Sequence, residues 1–513
     1  VMLCRREVLT GSASLAVAAV LAACSAGGGG AVSSASPAGT DGASAVPVNS
    51  APVVLKSVWK GEALTTRVGP AVVQGGYTVV KMEISVDSGE RFLLGSSMFG
   101  DGLNINTLAA VKLISLRENV VYREVGRTPK GIGYIEPDSP AELLPVFGAV
   151  PDDMDSIELL LPTTGVALGV PVVDAPVAGF DVTAAIANAQ IDESIHSGPF
   201  ELNSLVVAAD RSSDTEKADT STTVNVSGDV LFATDSADLS DAADGVLALV
   251  VEQLELYPSG GELAVTGHTD DVNTDEHNQG LSERRAKVVA DRLGELTDLS
   301  GWETTVSGKG ESEPRVANDS DENRQLNRRV EIVLTPADSD EGSAATTGAG
   351  SAAGSGDMPE PVGPVGRGPD GVDIEIDGVP ARISLDSVTR YAGYLIGTVK
   401  ISSEQEVSVP LFLMQIPDDL LFIRMWSSYA TSGCTLLKGN SRHLVVDFIN
   451  SDENSIVLAG YISGTMVAND VRSLPVVWPD TGEDTVTMDM IGEDDAFGQH
   501  LAVRLTDIPV VEA

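Results

Sequence analysis

At the usual 100–200 residues per domain, the 513 residues allow about three domains. Acidic residues outnumber basic ones 75 to 32, and the formal charge of -43 repels nucleic acid and anionic membrane surfaces while suiting a solvated, secreted surface. Aromatic residues are only 4%, but the apolar fraction of 42% supplies enough Val, Ile, Leu and Ala for packed cores, which excludes a chain disordered throughout.

The chain opens with Arg5 and Arg6, followed by a small, apolar run from Val8 to Ala23 that is too short and too Ala-rich for a stable membrane span. It ends in Leu21-Ala22-Ala23-Cys24, which resembles the bacterial lipobox. That resemblance implies a signal peptide over 1–23, diacylglycerol on the Cys24 thiol, and a membrane held through the lipid anchor. Arg5-Arg6-Glu7-Val8-Leu9 also resembles a twin-arginine export motif, although Cys4 before it and Thr10 after it are not the preferred types. An ordinary secretory peptide with a fortuitous cysteine is the alternative. Residues 24–53 are rich in Gly, Ala, Ser and Pro and read as a flexible tether. Of the three cysteines, Cys4 falls in the removed segment and Cys24 carries lipid. Cys434 is alone in the mature chain and is expected to be a buried apolar thiol.

Residues 54–165 read as a β-rich, sandwich-like domain. Val80, Met82, Ile84 and Val86 alternate with Lys81, Glu83 and Ser85, which puts one strand face in a core. Further strands fit 110–116 and 157–161. Residues 166–217 read as a connector, with Phe200–Ala209 as a candidate strand and a polar stretch from Ser212 to Ser221. From 218 to 336 the pattern changes to β-α-β-α-β-β. Strands are expected over Thr223–Phe232, Glu262–Gly267, Thr304–Ser307 and Arg329–Thr335, with helices over Asp241–Leu256, capped by Ser240, and Ser282–Leu296. Residues 337–371 form a Gly/Ala/Ser/Pro linker, and 372–513 read as a second sandwich-like domain. There Val372, Ile374 and Ile376 alternate with acids, and strands fit Leu444–Ile449 and Ile456–Ile462. The flanking regions share a pattern: Leu144-Pro145-Val146-Phe147 then Ile157-Glu158-Leu159, and Leu474-Pro475-Val476-Val477 then Val486-Thr487-Met488. This reads either as a duplicated sandwich or as coincidence. The fold class is α+β.

The middle segment carries five motifs in order: Leu231-Phe232-Ala233-Thr234-Asp235-Ser236-Ala237-Asp238-Leu239, Gly267-His268-Thr269-Asp270, Asn278-Gln279-Gly280-Leu281-Ser282-Glu283-Arg284-Arg285-Ala286, Gly308-Lys309-Gly310-Glu311-Ser312-Glu313-Pro314, and Arg324-Gln325-Leu326-Asn327-Arg328-Arg329-Val330-Glu331-Ile332. Together they resemble the OmpA-like C-terminal domain of peptidoglycan-associated lipoproteins and flagellar stator proteins, over about 115 residues. The resemblance implies non-covalent binding of the peptidoglycan stem peptide through its meso-diaminopimelate. It maps the two main ligand residues onto Asp270 and Arg285, with Asn278 supporting the loop or the ligand, and with Thr269 and Arg329 as further candidates. Arg324, Arg328 and Arg329 either fix the last strand or lie near the ligand.

Side-chain chemistry agrees. The end of diaminopimelate carries an ammonium and a carboxylate on one carbon, so a receptor needs one anion and one fork-shaped cation close together. Asp270 can take the ammonium and Arg285 the carboxylate in bidentate fashion, with amide donors and a favourable dipole expected from a nearby helix start. On a helix Arg284 points about 100° away from Arg285, so only one of them can face Asp270. Two residues depart from the family pattern: Asn273 stands where glycine is usual and His277 where an aromatic is usual, and asparagine tolerates the left-handed conformation that glycine would supply.

Asp271-Val272-Asn273-Thr274-Asp275 resembles the start of a calcium loop, but Glu276 and Ser282 occupy the positions that need Gly and Glu. Zinc spacing, a phosphate loop and a nucleophile elbow are not found, so neither metal, cofactor nor catalysis is expected. Two functions remain: a tether between membrane and wall, and a wall-positioned adaptor whose flanking domains recruit an envelope protein partner.

Overall fold

The computed structural model describes residues 51–513 except 88–90, 95–97, 100–110, 129–132, 219, 338–356, 411–412, 417–430, 452–453, 459, 461–463 and 493–499. The expected signal segment, Cys24, the tether up to residue 50 and most of the 337–371 linker lie outside the described residues, as does part of the expected strand Ile456–Ile462. The protein is strand-rich with few helices, an α+β fold. No helix among the described residues is long and apolar enough to cross a membrane.

The central segment builds β1 (Thr222–Ser227), α1 (Gly228–Leu231), α2 (Ala243–Glu255), β2 (Gly261–His268), α3 (Asp275–Leu296), β3 (Trp302–Gly310), α4 (Asp321–Asn327) and β4 (Arg329–Pro336). The sheet runs β1-β4-β2-β3, with β2 and β3 parallel and the other pairs antiparallel. Val224, Val226, Leu263, Val265, Val330, Ile332 and Leu334 face a core completed by Leu247 and Val250 of α2 and Val289 and Leu293 of α3.

Several elements differ from the sequence reading. The first strand stops at Ser227, because the Gly228 amide bonds the Arg328 carbonyl at 2.7 Å and the chain turns into α1. Ser240 bonds the Ala242 amide and the Val230 carbonyl, fixing a turn, and α2 starts at Ala243. The second long helix begins two turns early: Thr274 caps the His277 amide, and Asp275 and Glu276 occupy the first turn, where carboxylates suit the helix dipole. Helix α4 was not expected; Ser320 caps it through the Asn323 amide.

The flanking regions repeat one strand order. In the first, Val53–Trp59, Glu62–Gln74, Tyr77–Val86 and Ala141–Gly148 pair in sequence, and Lys112–Ser115 pairs Ser156–Leu161, which pairs Gly165–Pro171. In the last, Val372–Ile376, Val379–Ser384, Tyr394–Ser403 and Asp470–Pro479 pair in sequence, and Thr435–Lys438 pairs Thr485–Ile491, which pairs Ala502–Glu512. The hairpin turns correspond as well. Lys60-Gly61 and Asp377-Gly378, then Gly75-Gly76 and Ala392-Gly393, all hold positive φ, as tight hairpins with right-handed twist require. The shared Leu-Pro-Val pattern sits in the matching strands Ala141–Gly148 and Asp470–Pro479.

Residues 166–217, read as a connector, are largely structured. Gly165–Pro171 completes the first β-rich region, Val182–Asn188 is a helix capped by Asp181, and Phe200–Ala208 is a strand that pairs with both β-rich regions and with Ser213–Lys217. It pairs Phe200 with Val121, Leu202 with Phe448, Val206 with His443, and Ser204 with Lys217. Ser213–Lys217 then pairs β1, so the central sheet continues into both flanking regions. This polar strand reads as a linker because much of what stabilises it is tertiary: Asp214 is bonded by Arg315, 101 positions away, as well as by Asn225 of the neighbouring strand.

Cys434 is fully buried, and burial pushes its thiol up, as expected of an inert core cysteine. His443 is 1% exposed, and burial first, then Lys438, lowers its pKa to about 3. A depressed folded-state pKa means that the unfolded chain binds the proton first. His443 therefore contributes full stability above its unfolded pKa near 6.5, and that contribution falls as pH drops toward 3, at about 1.4 kcal/mol per pH unit. Urea midpoints measured between pH 7 and pH 4 should fall less steeply for His443→Leu than for the wild type. Equal slopes would remove His443 as the cause.

Candidate functional site

Strand β2 ends at His268 and delivers Thr269 and Asp270 to the edge of the sheet. The chain turns through Asn273, which holds φ of 86°, so the left-handed position survives without glycine. Helix α3 then carries Asn278, Ser282 and Arg285 on its buried side and leaves Arg284 exposed, as the helical register required. Arg285 lies ten residues into α3, so the helix start expected beside it is remote. Burial of Asp270 (8% exposed), Asn278 (1%) and Arg285 (6%) makes this a desolvated polar cluster.

The Asp270 carboxylate accepts the Val272 amide at 3.1 Å on Oδ1 and Arg328 Nη1 at 2.7 Å on Oδ2. Asp229 grips the rest of the Arg328 guanidinium, taking Nε at 2.9 Å and Nη2 at 2.7 Å. The hydrogen bonds that Arg328 donates to Asp229 and Asp270 hold its pKa well above the usual arginine value. Arg285 donates Nε to the Ser236 carbonyl at 2.8 Å and lies 4.9 Å from the Phe232 ring centroid, a cation–π distance. Its Nη1 and Nη2 have no hydrogen-bond partner among the described residues. Burial lowers its pKa, Asp229, Asp235 and Asp270 raise it, and Arg328 lowers it. The result is a buried residue whose Nη1 and Nη2 remain available, in the field of a carboxylate whose two oxygens each accept one hydrogen bond.

Asn278 donates its amide to the Asp270 carbonyl at 3.2 Å and to Glu311 Oε2 at 2.5 Å, so it fastens the loop that presents Asp270. Thr269 is buried, with its amide on the Gly310 carbonyl at 2.9 Å. Arg329 is not brought to this cluster. In β4 the side chains of Val330, Ile332 and Leu334 enter the core, and strand alternation turns Arg329 to the opposite face, where Glu331 is 3.6 Å away. Arg328, which precedes the strand, occupies the place beside Asp270. Arg324 bonds Asp271 at 2.9 Å on the rim. Sequence reasoning missed Asp229, Phe232 and Ser236. Asp229 and Arg328 meet across 99 positions, and no local pattern announces that pairing.

Residues 231–328 match the sequence model of the OmpA family. They form an OmpA-family domain. The match covers well under half of the chain, so membership concerns this domain. Among similar proteins, "Outer membrane porin F" of Pseudomonas aeruginosa is 39% identical over 111 residues, 22% of this chain and 31% of its own length. "Peptidoglycan-binding protein ArfA" of Mycobacterium tuberculosis is 35% identical over 107 residues, 21% of this chain and 32% of its own length. The chain thus spans about a third of the length of these curated relatives. The solved structure of the cell wall anchor of the T6SS from Pseudomonas aeruginosa shares 34% identity, covering 25% of this chain and 90% of that one, with a TM-score of 0.22.

In the OmpA-family domain, two motif glycines let α3 lie directly on the sheet. A Cβ on Gly267 would stand 2.2 Å from the Ser282 carbonyl oxygen, and one on Gly308 would stand 2.4 Å from the Glu283 amide nitrogen. Gly267→Ala must therefore push α3 outward and carry Arg285 with it. The expected result is a loss of about 1–3 kcal/mol of stability together with weaker ligand binding, read from urea midpoints and calorimetry. An unchanged midpoint would show that the helix yields freely.

Proposed function

We propose that the central domain binds peptidoglycan non-covalently, taking the zwitterionic end of meso-diaminopimelate between Asp270 and Arg285. The observation that carries this reading is Arg285, 6% exposed, whose Nε donates to the Ser236 carbonyl at 2.8 Å while Nη1 and Nη2 have no hydrogen-bond partner among the described residues. That bond and the Phe232 ring aim a planar two-donor fork at one place, which suits a carboxylate. Asp270, held by Arg328 and the Val272 amide, supplies the anion for the ammonium. A lysine-type stem lacks the second carboxylate and would leave Arg285 unpaired. Similarity to a protein named for peptidoglycan binding supports the same ligand.

On this reading the protein works in the cell envelope and performs no chemistry at this site. A lipid anchor at Cys24 would make it a tether between membrane and wall. The two β-rich regions, as sandwich-like domains, would make it a wall-positioned adaptor for a protein partner. Co-sedimentation of the full chain with purified sacculi tests the core of the proposal. Wild type pellets with the wall and Asp270→Ala stays in solution; retention of Asp270→Ala in the pellet would place the ligand elsewhere.

A further inference from the structure

On the face of the central sheet turned away from its apolar core, Arg329 of β4 and Ser227 of β1 stand directly opposite each other. Arg329 is 8% exposed, yet among the described residues its Nε and Nη1 have no hydrogen-bond partner, and Glu331 approaches Nη2 at 3.6 Å. The Ser227 hydroxyl is also buried and unpartnered. Beside them Arg315 is committed to Asp214 by two bonds of 2.6 and 2.9 Å, and Arg211 and Arg328 line the same cavity. Arg329 and the Asp214-bound Arg315 thus stand at one cavity, with the exposed Glu322 on its wall, in a chain whose overall charge is -43. A buried cation with two open donors is costly unless an anion or another acceptor meets it. The cavity has about 20 Å³, room for one water-sized group, so it admits a single oxygen and leaves the remainder of any ligand outside.

We propose that Arg329 and Ser227 form a second binding site, which takes one oxygen of an oxyanion, a carboxylate or a phosphate group presented end-on. The guanidinium donates from Nε and Nη1, and the Ser227 hydroxyl supplies a third donor. The site is separate from the Asp270–Arg285 cluster, since strand alternation puts Arg329 on the other face, and it does not depend on the ligand proposed there.

Hydrogen exchange of the full chain, followed by mass spectrometry, reads the site through peptides covering β1 and β4. Sodium acetate or sodium phosphate is compared with sodium chloride at equal ionic strength. Exchange in these peptides should slow at least threefold with an oxyanion; slowing by acetate assigns a carboxylate, and slowing by phosphate alone assigns a phosphate group. Arg329→Gln should abolish the slowing and Asp270→Ala should retain it. Ser227→Asp, which builds a carboxylate into the cavity, should slow exchange with no oxyanion added, and it decides the matter if Arg329→Gln does not fold. The proposal is overturned by equal slowing in chloride, by slowing that survives Arg329→Gln or disappears in Asp270→Ala, or by a Ser227→Asp protein whose exchange is unchanged.

Discussion

Arg285→Met is expected to abolish binding to sacculi and to free meso-diaminopimelate while leaving the fold as stable as the wild type or more so. Each charged hydrogen bond to a carboxylate contributes about 1.5–3 kcal/mol net. Loss of a two-bond fork therefore weakens binding by about 3 kcal/mol or more, over a hundredfold in Kd. Stability responds with the opposite sign. In the free protein Arg285 makes one hydrogen bond, to the Ser236 carbonyl, and a contact with Phe232, while burial disfavours its charge. An apolar side chain of similar length keeps the packing and removes a desolvated cation, a change that is commonly neutral or stabilising. Arg285→Lys retains the charge but not the planar fork and should bind nearly as poorly as the methionine variant. Calorimetry with meso-diaminopimelate and with lysine, alongside urea midpoints, separates the two effects. Binding by Arg285→Met within a few-fold of wild type would sink the assignment, and a large drop in its midpoint would make Arg285 a structural residue.

Asp489→Ala should be the most damaging single change in the last β-rich region. Asp489 is 1% exposed and accepts Arg442 Nη2 and Arg504 Nε, each at 2.7 Å, and both arginines are themselves buried. Removing the carboxylate leaves two uncompensated cations in the interior, at a cost of about 3–5 kcal/mol. Fluorescence of Trp478, fully buried in the same core, reports unfolding of this region in urea. Asp489→Asn keeps one acceptor oxygen and should lose less. A midpoint unchanged in Asp489→Ala would mean that water reaches both arginines.

Much of the central site was legible because its motifs are short and its chemistry local. Asp270 ends a strand of clear alternation, and the spacing from Asn278 to Arg285 selects one helix face, which puts Arg284 in solvent. The exchange of Arg329 for Arg328 was avoidable. The alternation of Val330, Ile332 and Leu334 already assigns Arg329 to the far face. The early start of α3 is also written in Thr274-Asp275-Glu276, a capping residue followed by acids, which overlaps the calcium-like run. Other features have no local signal. Asp229 reaches Arg328 only after the sheet closes. The strand Ser213–Lys217 is polar and gains its place from β1 and Arg315. The repeated strand order is clearer in backbone than in side chains: Gly75-Gly76 and Ala392-Gly393 share φ but only one residue type.

The strand Phe200–Ala208 has a consequence for stiffness. It is bonded to both β-rich regions and, through Ser213–Lys217, to the sheet that ends at Asp270. Swivelling the central domain would break several of these backbone bonds together, each contributing about 0.5–1.5 kcal/mol. On the proposed reading, a ligand bound at Arg285 would therefore be held at a set distance and angle from the flanking regions. The folded part acts as a ruler, with its spacing fixed by hydrogen bonds rather than by length of chain.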